Sequence, residues 1–365
     1  MPCELTLVIP TFNERENIQP LFKALTAALK GIVWEAIFID DDSPDGTYDA
    51  LLELAQTYRE VRCIKRLGRK GLSSACVEGV LASTSPYLCI MDADMQHDES
   101  IIPQMLAALK QDNLDLVIGS RYVGAGSTGA LPSHRVWISK LATQLGRTLS
   151  KNPVSDPMSG FFLFKRTYFE SIREKLSIKG FKILLDMLVS SPKDLKYREL
   201  PYTMRERNRG VSKLGTEVIW EFFLLVADKM VGRIVPVRFI SFITIGCSGV
   251  LVHLSVLSLL YKLWGSDFIH AQTIATIVAM TSNYVLNNHY TYSDRRLTGM
   301  AFVYGLFSFY LACSLGAVLN VAFAGWLFDL HIAWWLAGFL GAMSGAVWNY
   351  AVTAMITWRQ GDTNL

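Results

Sequence analysis

The chain has 365 residues, of which 51% are apolar, and its mean hydropathy is positive. This length exceeds one ordinary domain, and this apolarity excludes a wholly soluble protein. The net charge is only +3 and no block of Lys or Arg stands out, so nucleic acid is excluded as a partner. The cysteines are scattered without a C-x-x-C pair, which indicates reduced packing residues and not a disulfide frame or a zinc site.

The first half of the chain alternates strand-like apolar runs with helix-length segments. This alternation predicts right-handed βαβ units and a mostly parallel sheet covered on both faces, an α/β fold with its ligands at the carboxyl ends of the strands. Strands are predicted at residues 5–9, 34–39, 61–65, 87–91 and 114–118, and helices at about 18–29, 48–58 and 73–82.

Polar segments follow the first two predicted strands. Pro10 to Glu14 follows the first, and Asp40 to Thr47, with three consecutive aspartates, follows the second. Carboxylates at a strand end can accept hydrogen bonds from a base or from ribose hydroxyls. The simpler interpretation is an N-cap for the following helix, which Asp45 or Thr47 could provide.

The segment from Asp92 to His97 follows the fourth predicted strand. If the strand alternation continues, Asp92, Asp94 and Gln96 share one face. Oxygen ligands of this kind suit Mg²⁺ or Mn²⁺. A solvated acidic turn is the plainer alternative. His97 is interpreted as a residue behind the ligands or at a helix start, and not as a ligand.

Six short segments stand in order along the chain: Ile9 to Glu14, Asp40 to Thr47, Gly71 to Ala75, Asp92 to His97, Gly119 to Tyr122 and Gly210 to Leu214. In this order and approximate spacing they resemble the family 2 glycosyltransferases of the dolichol-phosphate mannose synthase type. The resemblance covers about residues 4 to 215. It implies a GT-A fold, a nucleotide-sugar donor, a divalent metal and a polyprenyl-phosphate acceptor.

The resemblance also implies roles on the donor side. The residues expected at the nucleoside pocket are Pro10, Glu14, Asp40 and Asp42. The residues expected to hold the metal on the donor diphosphate are Asp92, Asp94 and Gln96. Arg207 and Lys213 are expected to close over the phosphates, and Asp94, Arg207 and Lys213 are the expected catalytic residues.

On the acceptor side, the resemblance implies that Arg121, Arg135 and Ser139 bind the acceptor phosphate. A phosphate monoester is already mostly ionised at neutral pH, so the reaction needs no strong general base. Asp156 and Ser159 belong to a segment that resembles the sugar side of the family's site, although the phenylalanines that follow are also consistent with a buried strand. The chain has no Arg-Trp dipeptide, which argues against a processive polymer synthase of this superfamily.

The second half of the chain is strongly apolar. Phe239 to Trp358 contains only six charged residues, all at the edges of apolar runs. Each run is long enough to cross a hydrocarbon core. The predicted spans are residues 239–260, 268–286, 300–328 and 332–358, preceded by an amphipathic interface segment over 214–236. The chain therefore divides into domains at 1–213 and 237–360, joined by residues 214–236.

The four-span segment resembles the GtrA family of small membrane proteins, through Gly246 to Gly249 and Asn283 to Tyr292. The second and fourth spans end similarly, which indicates an internal duplication of a helical hairpin. Asparagines near these ends, at positions 283, 287, 288 and 349, are interpreted as interhelical hydrogen-bonding groups, with lipid-phosphate contact as the alternative.

The basic residues predict the orientation in the membrane. Arg233, Arg238, Arg295, Arg296 and Arg359 fall on one side, whereas the opposite turns lack Lys and Arg. By the positive-inside rule, the soluble domain and both termini are expected in the cytoplasm. No leader precedes the first strand-like run, so no signal peptide is predicted.

The expected function is therefore metal-dependent inverting transfer of mannose from GDP-mannose to a polyprenyl phosphate on the cytoplasmic leaflet, by a multi-pass membrane enzyme. The main rival donor is UDP-glucose, because membrane units resembling GtrA also occur in glucosyl-lipid systems. Two further alternatives are a lipid-linked sugar transporter with a regulatory soluble domain and a transferase acting directly on a protein or glycan.

Overall fold

A computed structural model describes residues 3–127, 152–177, 182–205, 236–266 and 268–358. The chain divides into two compact units, residues 1–229 and 230–365. The predicted domain limit at residue 213 and the predicted interface segment lie outside the described residues, apart from Pro236.

The first unit is built on a seven-stranded sheet with the order β3-β2-β1-β4-β6-β5-β7. Its strands are β1 (Leu5–Thr11), β2 (Trp34–Asp40), β3 (Val61–Lys65), β4 (Tyr87–Ile90), β5 (Leu116–Ser120), β6 (Phe162–Lys165) and β7 (Tyr197–Pro201). Only β6 runs antiparallel, between β4 and β5. The predicted mostly parallel α/β sheet is confirmed.

Helices cover both faces of this sheet. They are α1 (Arg15–Ala28), α2 (Thr47–Thr57), α3 (Leu72–Ala82), α4 (Ile102–Gln111), α5 (Arg166–Ile172) and α6 (Ile183–Ser190). Along β1, Leu7 packs with α1 and α4 in one apolar cluster, whereas Val8 packs with α3 and α6 in the other. Strands buried on both faces read as continuous apolar runs, which is why the sequence showed them clearly.

The second unit consists of long apolar helices: α7 (Val237–Ser258), α8 (Phe268–Leu286), α9 (Gly299–Asp329) and α10 (Trp334–Val352). They coincide closely with the four predicted spans. Within the described residues, two stretches, Arg238–Leu263 and Gly299–Leu319, are long and apolar enough to cross a membrane. Helices α8 and α10 each continue into a π-helical turn, at Asn287–Thr291 and Thr353–Thr357.

The contacts of these helices support the predicted duplication. In the first hairpin, α7 and α8, the hydroxyls of Ser241 and Thr291 form a hydrogen bond of 2.6 Å. In the second hairpin, α9 and α10, the hydroxyls of Ser308 and Thr357 form another of 2.6 Å. A glycine faces an asparagine side chain in both hairpins, and any added Cβ would clash with it; the pairs are Gly249 with Asn283, and Gly316 with Asn349. The two hairpins therefore repeat the same packing.

The asparagines at positions 283, 287, 288 and 349 differ in their hydrogen bonding. Asn288 accepts hydrogen bonds from Leu297 N (2.8 Å) and Trp358 Nε1 (3.0 Å), and Asn287 accepts one from Thr291 Oγ1 (2.8 Å). The interhelical hydrogen-bonding interpretation therefore holds for Asn288, whereas Asn287 bonds one turn away along its own helix, to Thr291 and to the carbonyl of Asn283. By contrast, the Oδ1 atoms of Asn283 and Asn349 are buried and accept no hydrogen bond from the described part of the chain.

Asn288→Leu is expected to lower the melting temperature of the detergent-solubilised chain. The substitution leaves the indole N–H of Trp358 and the backbone N–H of Leu297 without their acceptor, and an unsatisfied buried group costs about 1–3 kcal/mol. Ser255→Ala is the control, because Ser255 is exposed on α7 and its hydroxyl donates to the carbonyl of Leu251 within the same helix. Equal melting temperatures for the two variants would show that the Asn288 contacts contribute nothing.

Candidate active site

Three loops meet at the carboxyl edge of the sheet. Strand β1 lies between β2 and β4, and all three are parallel, so the loops that follow them converge. Each loop contains a non-glycine residue in the left-handed region, with φ of 54°, 57° and 62° at Asn13, Asp42 and Met95. Side-chain-bearing residues adopt this conformation rarely, and such residues gather at functional sites.

The first two aspartates after β2 are held by protein contacts. Asp40 is fully buried, and its carboxylate accepts hydrogen bonds from the backbone N–H (2.9 Å) and hydroxyl (2.6 Å) of Ser43. Asp41 pairs with Arg66 at 2.6 Å and accepts the N–H of Gly71 at 2.7 Å. Asp40 and Asp41 thus shape the loop, and a nucleoside contact by Asp40 stays a prediction.

Asp42 and Glu14 present their carboxylates differently. Asp42 is about half exposed, at 47%, and its carboxylate lies 3.0 Å from Lys65 Nζ. Glu14 is nearly buried; its N–H donates to Thr47 Oγ1 (3.0 Å), and its carboxylate accepts from Asn17 (2.7 Å). Pro10 is half-buried near the end of β1. All four predicted nucleoside residues therefore lie at or beside this edge.

The predicted metal ligands lie in a turn. Strand β4 ends at Ile90, so strand alternation does not place Asp92, Asp94 and Gln96; this part of the prediction was wrong. Instead, Asp94 Oδ1 accepts the N–H of Gln96 at 3.2 Å, and the turn passes through the left-handed Met95. The turn still brings the two carboxylates close enough to interact electrostatically.

The segment just before β6 packs against this turn. A Cβ on Gly160 would lie only 2.8 Å from Asp92 Oδ2, so glycine allows this close approach. His97 is buried and stacks on Phe161 at 5.2 Å. Its Nδ1 accepts the N–H of Asp92 (3.2 Å), which leaves Nε2 facing the Asp92 carboxylate at 3.9 Å. This geometry agrees with the interpretation that His97 supports Asp92 from behind.

Oxygen donors dominate the turn. In the described ranges, no group of three or more His, Cys, Asp or Glu side chains is arranged to hold a metal ion, so the candidate set is two carboxylates and an amide. Mg²⁺ is commonly held by one or two carboxylates together with substrate phosphates.

Burial raises the pKa of the Asp92 carboxyl; Asp94 raises it further, while His97 and Lys182 oppose the shift. Such a pair of carboxylates suits a divalent cation.

Arg121 is held by a buried aspartate. Its Nε and Nη2 each donate to the Asp156 carboxylate at 2.8 Å, and Asp156 is fully buried. Burial disfavours the guanidinium charge, but Asp156 outweighs burial, so the pKa of Arg121 lies above its usual value. Asp156 and Ser155 in turn donate backbone N–H groups to Glu199. Asp156 thus holds Arg121, and a role for Asp156 on the sugar side of the site stays a prediction.

Most residues that follow Asp156 in this segment are also buried in the protein. Ser159 is nearly buried, and its hydroxyl donates to the carbonyl of Gly119 at 2.7 Å. The phenylalanines that follow are fully buried, two of them in β6. The buried-strand interpretation is the one that holds for them.

Lys182, which precedes α6, also lies at this site although no sequence motif predicted it. Its Nζ donates to the carbonyl of Met158 at 3.4 Å and interacts electrostatically with Arg121, Asp92 and Asp156. Burial lowers the pKa of Lys182 and Arg121 adds to this effect, whereas the two aspartates oppose it. No motif marks this lysine, because its neighbours at the site are at least 24 positions away in the chain.

The remaining predicted site residues lie outside the described residues. They are Arg135 and Ser139 on the acceptor side and Arg207 and Lys213 of the closing loop.

Family models match both halves of the chain. Residues 6–173 match glycosyl transferase family 2, and residues 241–358 match the GtrA/DPMS transmembrane domain. The chain is 35% identical to a dolichol-phosphate mannosyltransferase of Pyrococcus furiosus, over 97% of this chain and 99% of that protein. The chain belongs to the dolichol-phosphate mannosyltransferase family. It is a glycosyltransferase with a membrane domain, as its sequence motifs predicted.

Two further matches cover less of the chain. The dolichol-phosphate mannosyltransferase of Saccharomyces cerevisiae is 34% identical, over 67% of this chain and 93% of its own length. Among solved structures, glucosyl-3-phosphoglycerate synthase from Mycobacterium tuberculosis aligns with a TM-score of 0.43 and 20% identity, over 62% of this chain and 80% of that one.

Proposed function

We propose that this enzyme transfers mannose from GDP-mannose to a polyprenyl phosphate, with inversion at the anomeric carbon and with Mg²⁺ or Mn²⁺ as cofactor. The observation that carries the proposal is the arrangement at one sheet edge. The carboxylate turn after β4 (residues 92–96) and Arg121 after β5 both interact with Lys182, so the proposed cation ligands and the proposed anion-binding group are neighbours. Transfer of a sugar between two phosphates requires this combination.

The residues of the turn fit a divalent cation. Asp92 and Asp94 would bind it directly, and Gln96 would add an amide oxygen. When bound, the metal supplies positive charge to the leaving diphosphate. Arg207 and Lys213 are proposed to add further positive charge to the same phosphates.

The acceptor side is proposed to work by positioning. Arg121, Arg135 and Ser139 hold the acceptor phosphate so that one of its oxygens attacks the anomeric carbon of mannose. The bond from that carbon to the diphosphate oxygen breaks on the opposite side, which inverts the configuration. GDP leaves, and the product is a mannosyl phosphodiester of the lipid.

The second unit is proposed to place this reaction at a membrane. Four spans with both termini in the cytoplasm would present polyprenyl phosphate from the cytoplasmic leaflet. The basic residues on one side of the predicted spans, including Arg238 and Arg295, support this orientation.

Asp92→Asn is expected to raise the melting temperature in metal-free buffer while nearly abolishing transfer. The folded-state pKa of Asp92 is raised, so its ionisation at neutral pH lowers the free energy of unfolding. Asparagine removes that charge; because the Asp92 side chain is 37% exposed and partly screened by solvent, the expected rise is small. The difference should shrink as the pH falls through the raised pKa, since the wild-type carboxyl then becomes neutral.

Differential scanning fluorimetry of the full chain in detergent measures this effect. Added Mn²⁺ should raise the melting temperature of the wild type and leave that of Asp92→Asn nearly unchanged. A variant that melts below the wild type in metal-free buffer would contradict the electrostatic interpretation.

A donor panel tests the proposed substrate. Purified enzyme with polyprenyl phosphate and Mn²⁺ is given radiolabelled GDP-mannose, UDP-glucose or GDP-glucose, and initial rates are compared. We expect GDP-mannose to give the highest kcat/KM. Preference for UDP-glucose would establish the glucosyl alternative, and transfer from none of the donors would favour the transporter.

A further inference from the structure

Arg205 joins the carboxylate turn to the segment that follows β7. Its backbone N–H donates to the carbonyl of Gln96 at 2.9 Å. In return, Gln96 Nε2 donates to the carbonyl of Arg205 at 3.2 Å. A carbonyl can only accept, so the amide nitrogen of Gln96 must face Arg205 and its amide oxygen must face the other way. The orientation of Gln96 is therefore set by the backbone of Arg205.

The side chain of Arg205 makes a second set of contacts, with two carboxylates that follow the turn. Its Nη1 lies 2.6 Å from Glu99 Oε2, and its Nη2 lies 2.8 Å from Asp98 Oδ1. These carboxylates follow the turn directly, at the 3₁₀ turn that leads into α4. A guanidinium fork can serve two carboxylates at once, whereas a lysine ammonium is a single point charge.

We propose that Arg205 is a positioning residue for the metal site, which holds Gln96 with its amide oxygen available to a divalent cation. The proposal rests on the metal-dependent transfer proposed above. Groups that orient metal ligands tune affinity strongly, and their loss typically weakens metal binding about 10- to 100-fold. The role was invisible in sequence, because 109 positions separate the two partners.

The chain offers a matched control seven positions before Arg205. Arg198 lies in β7, and its Nη1 pairs with Asp112 Oδ2 at 2.6 Å. Its side chain is 48% exposed, close to the 41% of Arg205. Arg198→Met therefore removes a comparable surface ion pair, which is worth little for stability, without touching the turn.

The test is Mn²⁺ binding by the full chain in detergent, followed by electron paramagnetic resonance of free Mn²⁺. Titrations are run with whichever of GDP or UDP the wild type binds. Arg205→Met should weaken Mn²⁺ binding about tenfold, and Arg198→Met by less than about twofold. Arg205→Lys should give an intermediate affinity, and it keeps the measurement possible if the methionine variant does not fold. Glu99→Gln should weaken binding less in the Arg205→Met background than alone, because the two residues act together.

The outcomes separate this inference from the proposed function. A wild-type chain that binds no Mn²⁺ with either nucleotide defeats the metal-dependent mechanism itself. A wild type that binds Mn²⁺, with Arg205→Met or Arg205→Lys binding as tightly as Arg198→Met, overturns the role of Arg205 alone.

Discussion

Asp94→Ala is expected to lower kcat by at least about a hundredfold while leaving the fold intact. Asp94 is nearly buried in the turn after β4, and it is one of the two carboxylates that we place on the cation of the donor diphosphate. Removing one group that stabilises developing charge costs about 100- to 1000-fold in rate. Rates with saturating GDP-mannose and polyprenyl phosphate, measured across a Mn²⁺ titration, check this expectation.

Glu170→Ala is the control for that experiment. Glu170 is an exposed carboxylate on α5 whose partner in the structure is Arg173, three residues later. We expect wild-type rates from this variant and unchanged circular dichroism from both. If Asp94→Ala and treatment with EDTA both leave the rate unchanged, the metal assignment is wrong.

Asp156→Asn is expected to lower the melting temperature by about 10 °C. The substitution leaves the Arg121 guanidinium, itself mostly buried, without its charge partner, and breaking a buried pair costs about 3–5 kcal/mol. Each kcal/mol corresponds to about 2–4 °C for a domain of this size. Thermal unfolding of the solubilised chain, followed by fluorescence, measures the shift.

Two variants show whether the effect belongs to the buried pair. Asp112→Asn makes the same chemical change in an exposed pair with Arg198 and should cost less than about 1 kcal/mol. The double variant Asp156→Asn/Arg121→Met should melt above Asp156→Asn alone, because it removes the uncompensated charge. Equal shifts for Asp112→Asn and Asp156→Asn would contradict the account of Arg121.

Much of the fold followed from the sequence because its strands are buried on both faces. The predicted strand at 34–39 differs from the largely buried β2 by one residue, and the predicted helix at 73–82 differs from α3 by one residue. The four predicted spans coincide closely with α7 to α10 for the same reason, since long apolar runs leave few alternatives. The loops of the site were found because parallel strands place their carboxyl ends at one edge.

Contacts between residues far apart in the chain could not be predicted from the sequence. Strand β6 inserts antiparallel between β4 and β5, although it lies more than 40 residues after β5 in the chain. Arg121 lies 35 positions from Asp156 and Arg205 lies 109 positions from Gln96, and no sequence periodicity indicates either contact. Strand alternation was predicted to bring Asp92, Asp94 and Gln96 together. The segment instead turns through Met95, whose backbone is in the left-handed region.

The central claim is that this enzyme makes a mannosyl phosphodiester of a polyprenol. The most direct measurement is mass spectrometry of the lipid extract after the purified chain has been incubated with GDP-mannose, polyprenyl phosphate and Mn²⁺. We predict a polyprenyl phosphate that has gained one hexose, with one GDP released for each product molecule. An extract that contains only unmodified polyprenyl phosphate, with mannose found on protein or left in the aqueous phase, would contradict the account.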